Sequence, residues 1–461
     1  MRLLIIGSGP GGYVAAIRAA QLGASVTIVE NNEVGGTCLN WGCIPTKTLS
    51  ASAEVLQKAR RLAEYGIECT GDIRPNLAKI MERKNKVVST QVKGIRSLFK
   101  YRRINLVEGR GRLLAPGRVE IEKRDGTKEV VEADKIIIAT GSRPARIPAF
   151  PFDGEAILSS TDALNLGVLP KSLIIIGAGV VGCEFACIFA EFGVEITMLE
   201  MLNRAVSTED HEISELLERE LKKKKIKLMT SVKVEKVERM PDGVRIVLEG
   251  GKELTGEKLL VSIGRHYNTE DIGLEALGIQ KGERGEIQVD TKMETNVKGV
   301  YAIGDVVGGM LLAHVASHEG IVAASNACGV ERSMDYSVVP AAIFTSPEIG
   351  SVGLREHDAQ TRGLKIRTGH FQFRSLGKAH AMGEIAGIIK VIAEDDTDKV
   401  LGVHIIGPHA SDLAHEGALA IKAGLTAKEV GGMIHAHPTL SEGLMEAAED
   451  VHGMAIHAVN Q

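Results

Sequence analysis

Aromatic residues are scarce in this chain: they are 3% of 461 residues, and there is one tryptophan. Neither charge sign dominates, the formal net charge being -4. Together these exclude a protein that holds nucleic acid by bulk electrostatics or by stacking bases on aromatic platforms. No apolar run reaches the ~18 residues of a membrane span. The opening MRLLIIGSG has too short an apolar stretch for a secretory signal and runs directly into glycines, so we expect a cytoplasmic chain that folds from its first residues, with no preceding lipoyl or metal-binding unit. Six cysteines are too few for the disulfide framework of a secreted protein, and no four of them have zinc-site spacing, so no metal is expected. Cys69 and Cys328 stand alone, and Cys183 and Cys187 lie in an apolar segment.

Glycine is plentiful. There are 52 glycines, about 11% against a usual ~7%. They follow no collagen period and no low-complexity tract, which leaves tight turns and close backbone approach to a ligand. The length suggests about three domains.

Residues 5–30, IIGSGPGGYVAAIRAAQLGASVTIVE, align without a gap on residues 175–200, IIGAGVVGCEFACIFAEFGVEITMLE. Gly7, Gly9, Gly12 and Glu30 fall on Gly177, Gly179, Gly182 and Glu200, 170 residues later. One G-x-G-x-x-G is weak, because a glycine-rich turn can bind nothing. Two copies, each entered by an apolar strand and closed by a second strand ending in Glu, are strong. The first glycine makes the strand-to-helix turn, the second admits a pyrophosphate, and the third lets the helix sit close to the sheet. The helix N-terminus attracts the anion, and the closing carboxylate can take a ribose 2′-hydroxyl. At Glu200 a carboxylate repels a 2′-phosphate and so favours NAD over NADP, while Arg204 keeps an NADP reading open.

Directly after Glu30 comes VGGTCLNWGCIPTK, residues 34–47. If this segment is helical near its cysteines, Cys43 and Lys47 share a face. A nearby cation and a helix N-terminus both favour thiolate. Gly35, Gly36 and Gly42 let the backbone lie against a flat cofactor. The competing reading is two ordinary buried cysteines. Glu184 interrupts an apolar stretch and needs a partner if buried. In HAHPTLSE, Glu442 can turn back onto the ring of His437 and fix its tautomer, as in a general-base dyad. From spacing alone, a histidine satisfying a turn is the commoner outcome, and His435 is a rival.

These segments, with IIIATGSRP at 136–144, VSIGRHYN at 261–268, VYAIGDV at 300–306 and LLAHVASHEG at 311–320, resemble the pyridine nucleotide–disulfide oxidoreductases of class I over essentially the whole chain. The resemblance implies an α/β fold with two Rossmann-like dinucleotide-binding domains, for FAD and NAD, and a C-terminal α+β dimerisation domain. The implied domains are 1–145 for FAD, 146–266 for NAD, 267–337 completing the FAD domain, and 338–461 at the dimer interface. FAD would be held by Gly7, Gly9, Gly12, Glu30, Thr37, Lys47, Gly111, Thr140, Gly141, Asp305 and Ala313. NAD would be held by Gly177, Gly179, Gly182, Glu200, Val234 and Gly264. Cys38 and Cys43 would form a redox-active disulfide, with Cys43 next to the flavin and Cys38 exchanging with substrate. Lys47 would pair with Glu184, and His437 with Glu442 would act from the other subunit of a homodimer.

The implied activity is oxidation of protein-bound dihydrolipoamide with NAD, as a shared subunit of 2-oxo acid dehydrogenase or glycine-cleavage complexes that docks on their acyltransferase core. Glutathione reductases carry a tyrosine where this chain has Val180. Mercuric and large thioredoxin reductases carry a C-terminal cysteine pair, whereas this chain ends AIHAVNQ. The alternatives are another NAD(P)H-dependent disulfide reductase, for glutathione-like or coenzyme A disulfides, or a mainly docking, scaffold subunit.

Overall fold

The computed structural model describes residues 1–458; the end of the AIHAVNQ segment lies outside the described residues. Three sheets dominate it. In the first, β1 (Arg2–Ile6) pairs in parallel with β2 (Ser25–Glu30) and β4 (Lys135–Ile138). β2 pairs with β3 (Asn105–Ala115), and β4 pairs with the returning β8 (Val300–Ala302). Leu3, Leu4, Ile5 and Ile6 of β1 are all buried, as a strand covered on both faces requires. An antiparallel extension, Arg118–Lys123 and Lys128–Glu132, continues β3.

The second sheet repeats the plan. β5 (Ser172–Ile176) lies between β6 (Glu195–Leu199) and β7 (Lys258–Val261), all parallel. The third is a five-stranded antiparallel sheet formed from residues 341–407.

Short, small residues set the helix positions. α1 (Pro10–Gln21) follows β1, and α6 (Ala313–Ala327) lies across it. A Cβ on Gly320 would sit 2.5 Å from the Gly11 carbonyl oxygen, so this crossing needs a residue without a side chain. The contact brings the chain after β8 over the first glycine turn. α2 (Gly36–Trp41), α3 (Cys43–Arg60) and α4 (Leu77–Tyr101) then layer outward from that turn. α5 (Val180–Glu191) opens the second unit, and α7 (Glu442–Asp450) lies on the antiparallel sheet.

The second unit and the C-terminal sheet share a buried cation. Lys390 is 0% exposed. Its Nζ donates to Asp210 at 3.1 Å and Glu356 at 2.6 Å, with Glu212 at 3.3 Å. Removing one partner of so buried a pair costs about 3–5 kcal/mol, so this cluster fastens one unit to the other. No helix among the described residues is long and apolar enough to cross a membrane.

Candidate active site

The two glycine turns have the same internal geometry. A Cβ on Gly7 would lie 2.3 Å from the Ala139 carbonyl oxygen, and one on Gly177 2.4 Å from that of Ser262. On Gly12 and on Gly182 it would lie 2.0 Å from the carbonyl oxygen of Gly7 and of Gly177 respectively. The protein's own backbone therefore forbids a side chain at the first and third glycines. The second glycines differ. Gly9 has φ −64° and its nearest neighbour would be Gly36 Cα at 3.9 Å, while Gly179 has φ −74° and meets nothing within 4 Å. Nothing in the chain demands glycine there, which fits a pyrophosphate close against the backbone. No side chain caps α1 or α5, and neither first turn contains an acidic residue, so both helix ends present N–H groups to an anion.

The closing carboxylates lock these turns. Glu30 accepts from Ser8 N–H at 2.9 Å, Ser8 Oγ at 2.7 Å and Asn32 N–H at 2.8 Å. Glu200 accepts from Ala178 N–H at 2.6 Å and Leu202 N–H at 2.8 Å. Arg204 is tied elsewhere: it contacts the His211 ring at 2.6 Å and donates to the carbonyls of Ser207 and Glu209. It is not a spare cation for a 2′-phosphate.

The cysteines lie on two helices rather than one. Gly35 (φ +96°) and Gly36 (φ +58°) turn the chain into α2, and Gly42 breaks it from α3. A Cβ on Gly36 would lie 2.6 Å from Gly9 Cα, so here glycine serves contact between two parts of the chain as well as room for a cofactor. Cys38 lies within α2, and Cys43 is the first residue of α3. Both are half-buried free thiols. The Cys38 S–H donates to Cys43 sulfur, which pushes Cys38 up and Cys43 down; Lys47 lowers Cys43 further. In the dithiol state Cys43 is therefore the more acidic thiol, the one that ionises first, and Cys38 the one that keeps its proton.

Lys47, one turn along α3, donates to both Glu184 oxygens at 2.8 Å. Glu184 is 3% exposed and also accepts the Phe344 N–H at 2.9 Å, while the Phe344 ring lies 4.6 Å from Lys47 Nζ. Phe344 has no sequence signal of its own, since its contribution is largely a backbone N–H. Cys183 and Cys187 are buried on α5, Cys183 donating to Ala178 O at 3.2 Å, and they take no part in this cluster.

Asp305, in the turn after β8, accepts from Ser142 Oγ, and Arg265 Nε lies 3.5 Å away. Arg265 also donates to Ser142 Oγ at 2.6 Å and Ser142 O at 2.8 Å, and Thr37 Oγ1 reaches Ser142 O at 3.5 Å. Thr140 Oγ1 donates to Asn268 O at 2.8 Å, and Asn268 N donates to Gly141 O at 2.9 Å. Ala313 begins α6, whose N-terminus has no side-chain cap. Glu319 on α6 accepts the Gly304 N–H at 2.6 Å. Arg265, Ser142 and Glu319 lay inside quoted motifs, but only the fold brings them to Asp305. Gly111 is buried in β3 against Ile6, Val234 begins the strand Val234–Met240, and Gly264 (φ +120°) accepts from Ala145 N–H at 3.0 Å.

His437 and Glu442 meet at the start of α7. His437 Nδ1 is 2.8 Å from Glu442 Oε1, and Thr439 N–H donates to Oε2 at 2.8 Å. Burial tends to raise the Glu442 carboxyl, but the Thr439 N–H and the His437 ring outweigh it and hold it below the usual range. With Nδ1–H given to the carboxylate, Nε2 is the open basic atom on a side chain 77% exposed. His435 differs: its side chain is 3% exposed, and its two ring nitrogens lie 2.9 Å from Met433 O and 2.7 Å from Glu416 Oε1. It has no atom to offer a substrate.

Two thiols, a Lys–Glu pair with its carboxylate buried and two glycine turns thus occur in one chain with a His–Glu pair on its C-terminal unit, and known proteins resemble the chain over nearly its whole length. The Bacillus subtilis dihydrolipoyl dehydrogenase is 44% identical over 99% of this chain and 98% of its own length, and that of Thermus scotoductus 42% over 100% and 99%. Among solved structures, LpdA from Mycobacterium tuberculosis matches with a TM-score of 0.92 and 30% identity over 97% of this chain and 99% of that one. RclA, an HOCl-induced flavoprotein disulfide reductase from Escherichia coli, matches at 0.87 and 26% identity over 97% and 99%. Residues 1–320 fit the family model of the pyridine nucleotide-disulphide oxidoreductases, and residues 339–448 fit that family's dimerisation domain. The chain belongs to the pyridine nucleotide-disulphide oxidoreductase family.

Proposed function

We propose that this protein oxidises protein-bound dihydrolipoamide with NAD, using FAD on the first glycine turn, NAD on the second, and the Cys38–Cys43 pair between substrate and flavin. The observation that carries the reading is the unequal thiol pair at the α2–α3 break, with Lys47 and Glu184 one turn away. FAD, when bound, relays the electron pair between the thiols and the nicotinamide.

The protein's groups divide the remaining work. A substrate thiolate attacks Cys38 sulfur of the disulfide; the Cys38–Cys43 bond breaks, and Cys43 leaves as thiolate. The lower-pKa thiol is the better leaving group, so the unequal pair favours attack at Cys38. The second substrate thiolate then attacks the sulfur joined to Cys38, closes the substrate disulfide and releases Cys38. His437 Nε2 accepts the proton of the first substrate thiol, and Glu442 stabilises the resulting imidazolium, while the proton of the second thiol passes to Cys38 as it leaves. Lys47, held by Glu184, steadies the negative charge on Cys43.

Met433, Ile434, Met454 and Ile456 are exposed on the unit that carries His437, Ile434 at 96%. Apolar residues left in the open beside a catalytic pair fit a face covered by a second copy, so that His437 of one protomer serves the cysteines of its partner. The enzyme then acts as the shared subunit of 2-oxo acid dehydrogenase or glycine-cleavage assemblies.

The test is turnover by FAD-loaded protein. Dihydrolipoamide should reduce NAD, with NADP far poorer because the Glu200 carboxylate would repel a 2′-phosphate and Arg204 is engaged. Lipoamide should likewise be preferred to glutathione disulfide in the reverse direction. Absence of NAD reduction by dihydrolipoamide would falsify the reading; lipoylated-protein binding without turnover would favour a docking subunit.

A further inference from the structure

α4 carries a line of unpaired lysines. Residues 77–103 contain nine basic residues and one acidic residue, Glu82, in a chain of net charge -4, so the rest of the chain is net -12. Lys79, Lys86, Lys93 and Lys100 lie seven residues apart, all exposed. Seven residues are almost two turns, so the four ammonium groups follow one face at about 10 Å intervals over about 30 Å, the width of a small domain. Other cations of the helix are used internally: Lys84 donates to Leu164 O at 2.6 Å, and Arg96 pairs with Glu108 at 2.9 Å. The four lysines have no carboxylate partner among the described residues.

The opposite face of α4 fastens it to the redox helices. Ile80 and Met81 pack against the core that contains Leu49 and Ala53 of α3, and Arg83, on the flank next to Lys79, donates to the Thr48 carbonyl at 3.1 Å. The lysine line therefore runs one helix layer outside the element that begins with Cys43, a layer of about 8–10 Å.

We propose that this face docks an acidic protein domain that bears the dithiol, presenting it to Cys38; the proposal rests on the reading of the substrate as protein-bound dihydrolipoamide. A basic line of domain width on an otherwise acidic molecule complements a compact acidic partner. Tyr101 is the single aromatic residue exposed on the helix, so the line offers no row of rings on which bases would stack.

The experiment uses FAD-loaded enzyme and two substrates: free dihydrolipoamide, and a reduced, isolated lipoylated domain of acidic net charge. In the quadruple variant Lys79→Glu, Lys86→Glu, Lys93→Glu and Lys100→Glu, kcat/KM for the domain should fall ~10- to 100-fold at low salt, as charge-steered association does. The wild-type rate should fall with added salt and the variant rate should not, while free dihydrolipoamide turnover stays unchanged in both. Arginine at all four positions should retain the wild-type rate and its salt dependence, which separates lost charge from misfolding. Equal loss on both substrates, no loss on either, or tighter binding of a single-stranded oligonucleotide than of the domain would overturn the docking face. Binding of the oxidised enzyme to the lipoylated domain, measured by anisotropy, reads docking without turnover. Failure of free dihydrolipoamide to reduce NAD in wild type counts against the substrate reading alone.

Discussion

The two glycine turns are built alike and finished differently. In both, the first and third glycines are forced by backbone carbonyls at 2.0–2.4 Å, and a carboxylate 23 residues after the first glycine ties the loop through a backbone N–H. Beyond Gly9 the chain comes back: Gly36 lies against it, and α2 and α3 close over the turn. Beyond Gly179 there is open space, and Val180 and Val181 are 36% and 40% exposed. An enclosed turn suits a resident group and an open one suits a group that exchanges. On the function proposed above, one motif used twice serves a cofactor that stays and a substrate that leaves, and the neighbouring chain decides which.

The largest effect expected from breaking this comparison is on folding. Gly12→Val and Gly182→Val each force a side chain into a carbonyl oxygen and should each cost about 3 kcal/mol or more. A fall in Tm of both variants is the readout; unchanged melting would contradict the packing account. The second glycines should then separate the two sites. Gly9→Val should yield folded protein without bound flavin, whereas Gly179→Val should keep flavin and raise the KM for NAD ~10-fold or more, by intruding on a dinucleotide. Equal effects on flavin content would erase the proposed difference between the turns.

A smaller comparison lies within HAHP. His437→Ala should lower dihydrolipoamide turnover ~10²- to 10⁴-fold with little change in stability. His435→Ala leaves the Glu416 carboxylate and the Met433 carbonyl without their partner and should instead cost about 1–3 kcal/mol, seen as a lower Tm with kcat nearly kept.

The subtlest effect is on pH. Because the Cys38 S–H and Lys47 lower Cys43, its thiolate is present above the lowered pKa and is lost as pH falls through it. The long-wavelength thiolate–flavin absorbance of the reduced enzyme should therefore persist well below the ordinary thiol pKa. Its disappearance on acidification through that ordinary value would contradict the assignment.

The periodic parts of the molecule were legible in its sequence. A gapless repeat at an offset of 170 indicates two strand–turn–helix units because both need the same glycines for the same steric reasons. Pairings across long separations were not legible from spacing: Lys47 and Glu184 are 137 residues apart, and the family pattern alone suggested them. The Phe344 N–H on Glu184 has no side-chain signature. His435 and His437 are two residues apart in one motif, and only burial tells them apart. Arg204 looked available in the sequence because its own carbonyl acceptors, at Ser207 and Glu209, become visible only once the loop is folded.

The central claim is that electrons pass between the Cys38–Cys43 pair and NAD. It is tested most directly with Cys43→Ser holoprotein, comparing NAD reduction by dihydrolipoamide with quinone reduction by NADH. The account predicts that the first rate is abolished while bound flavin and the second rate remain. Dihydrolipoamide-driven NAD reduction at the wild-type rate in this variant would contradict it.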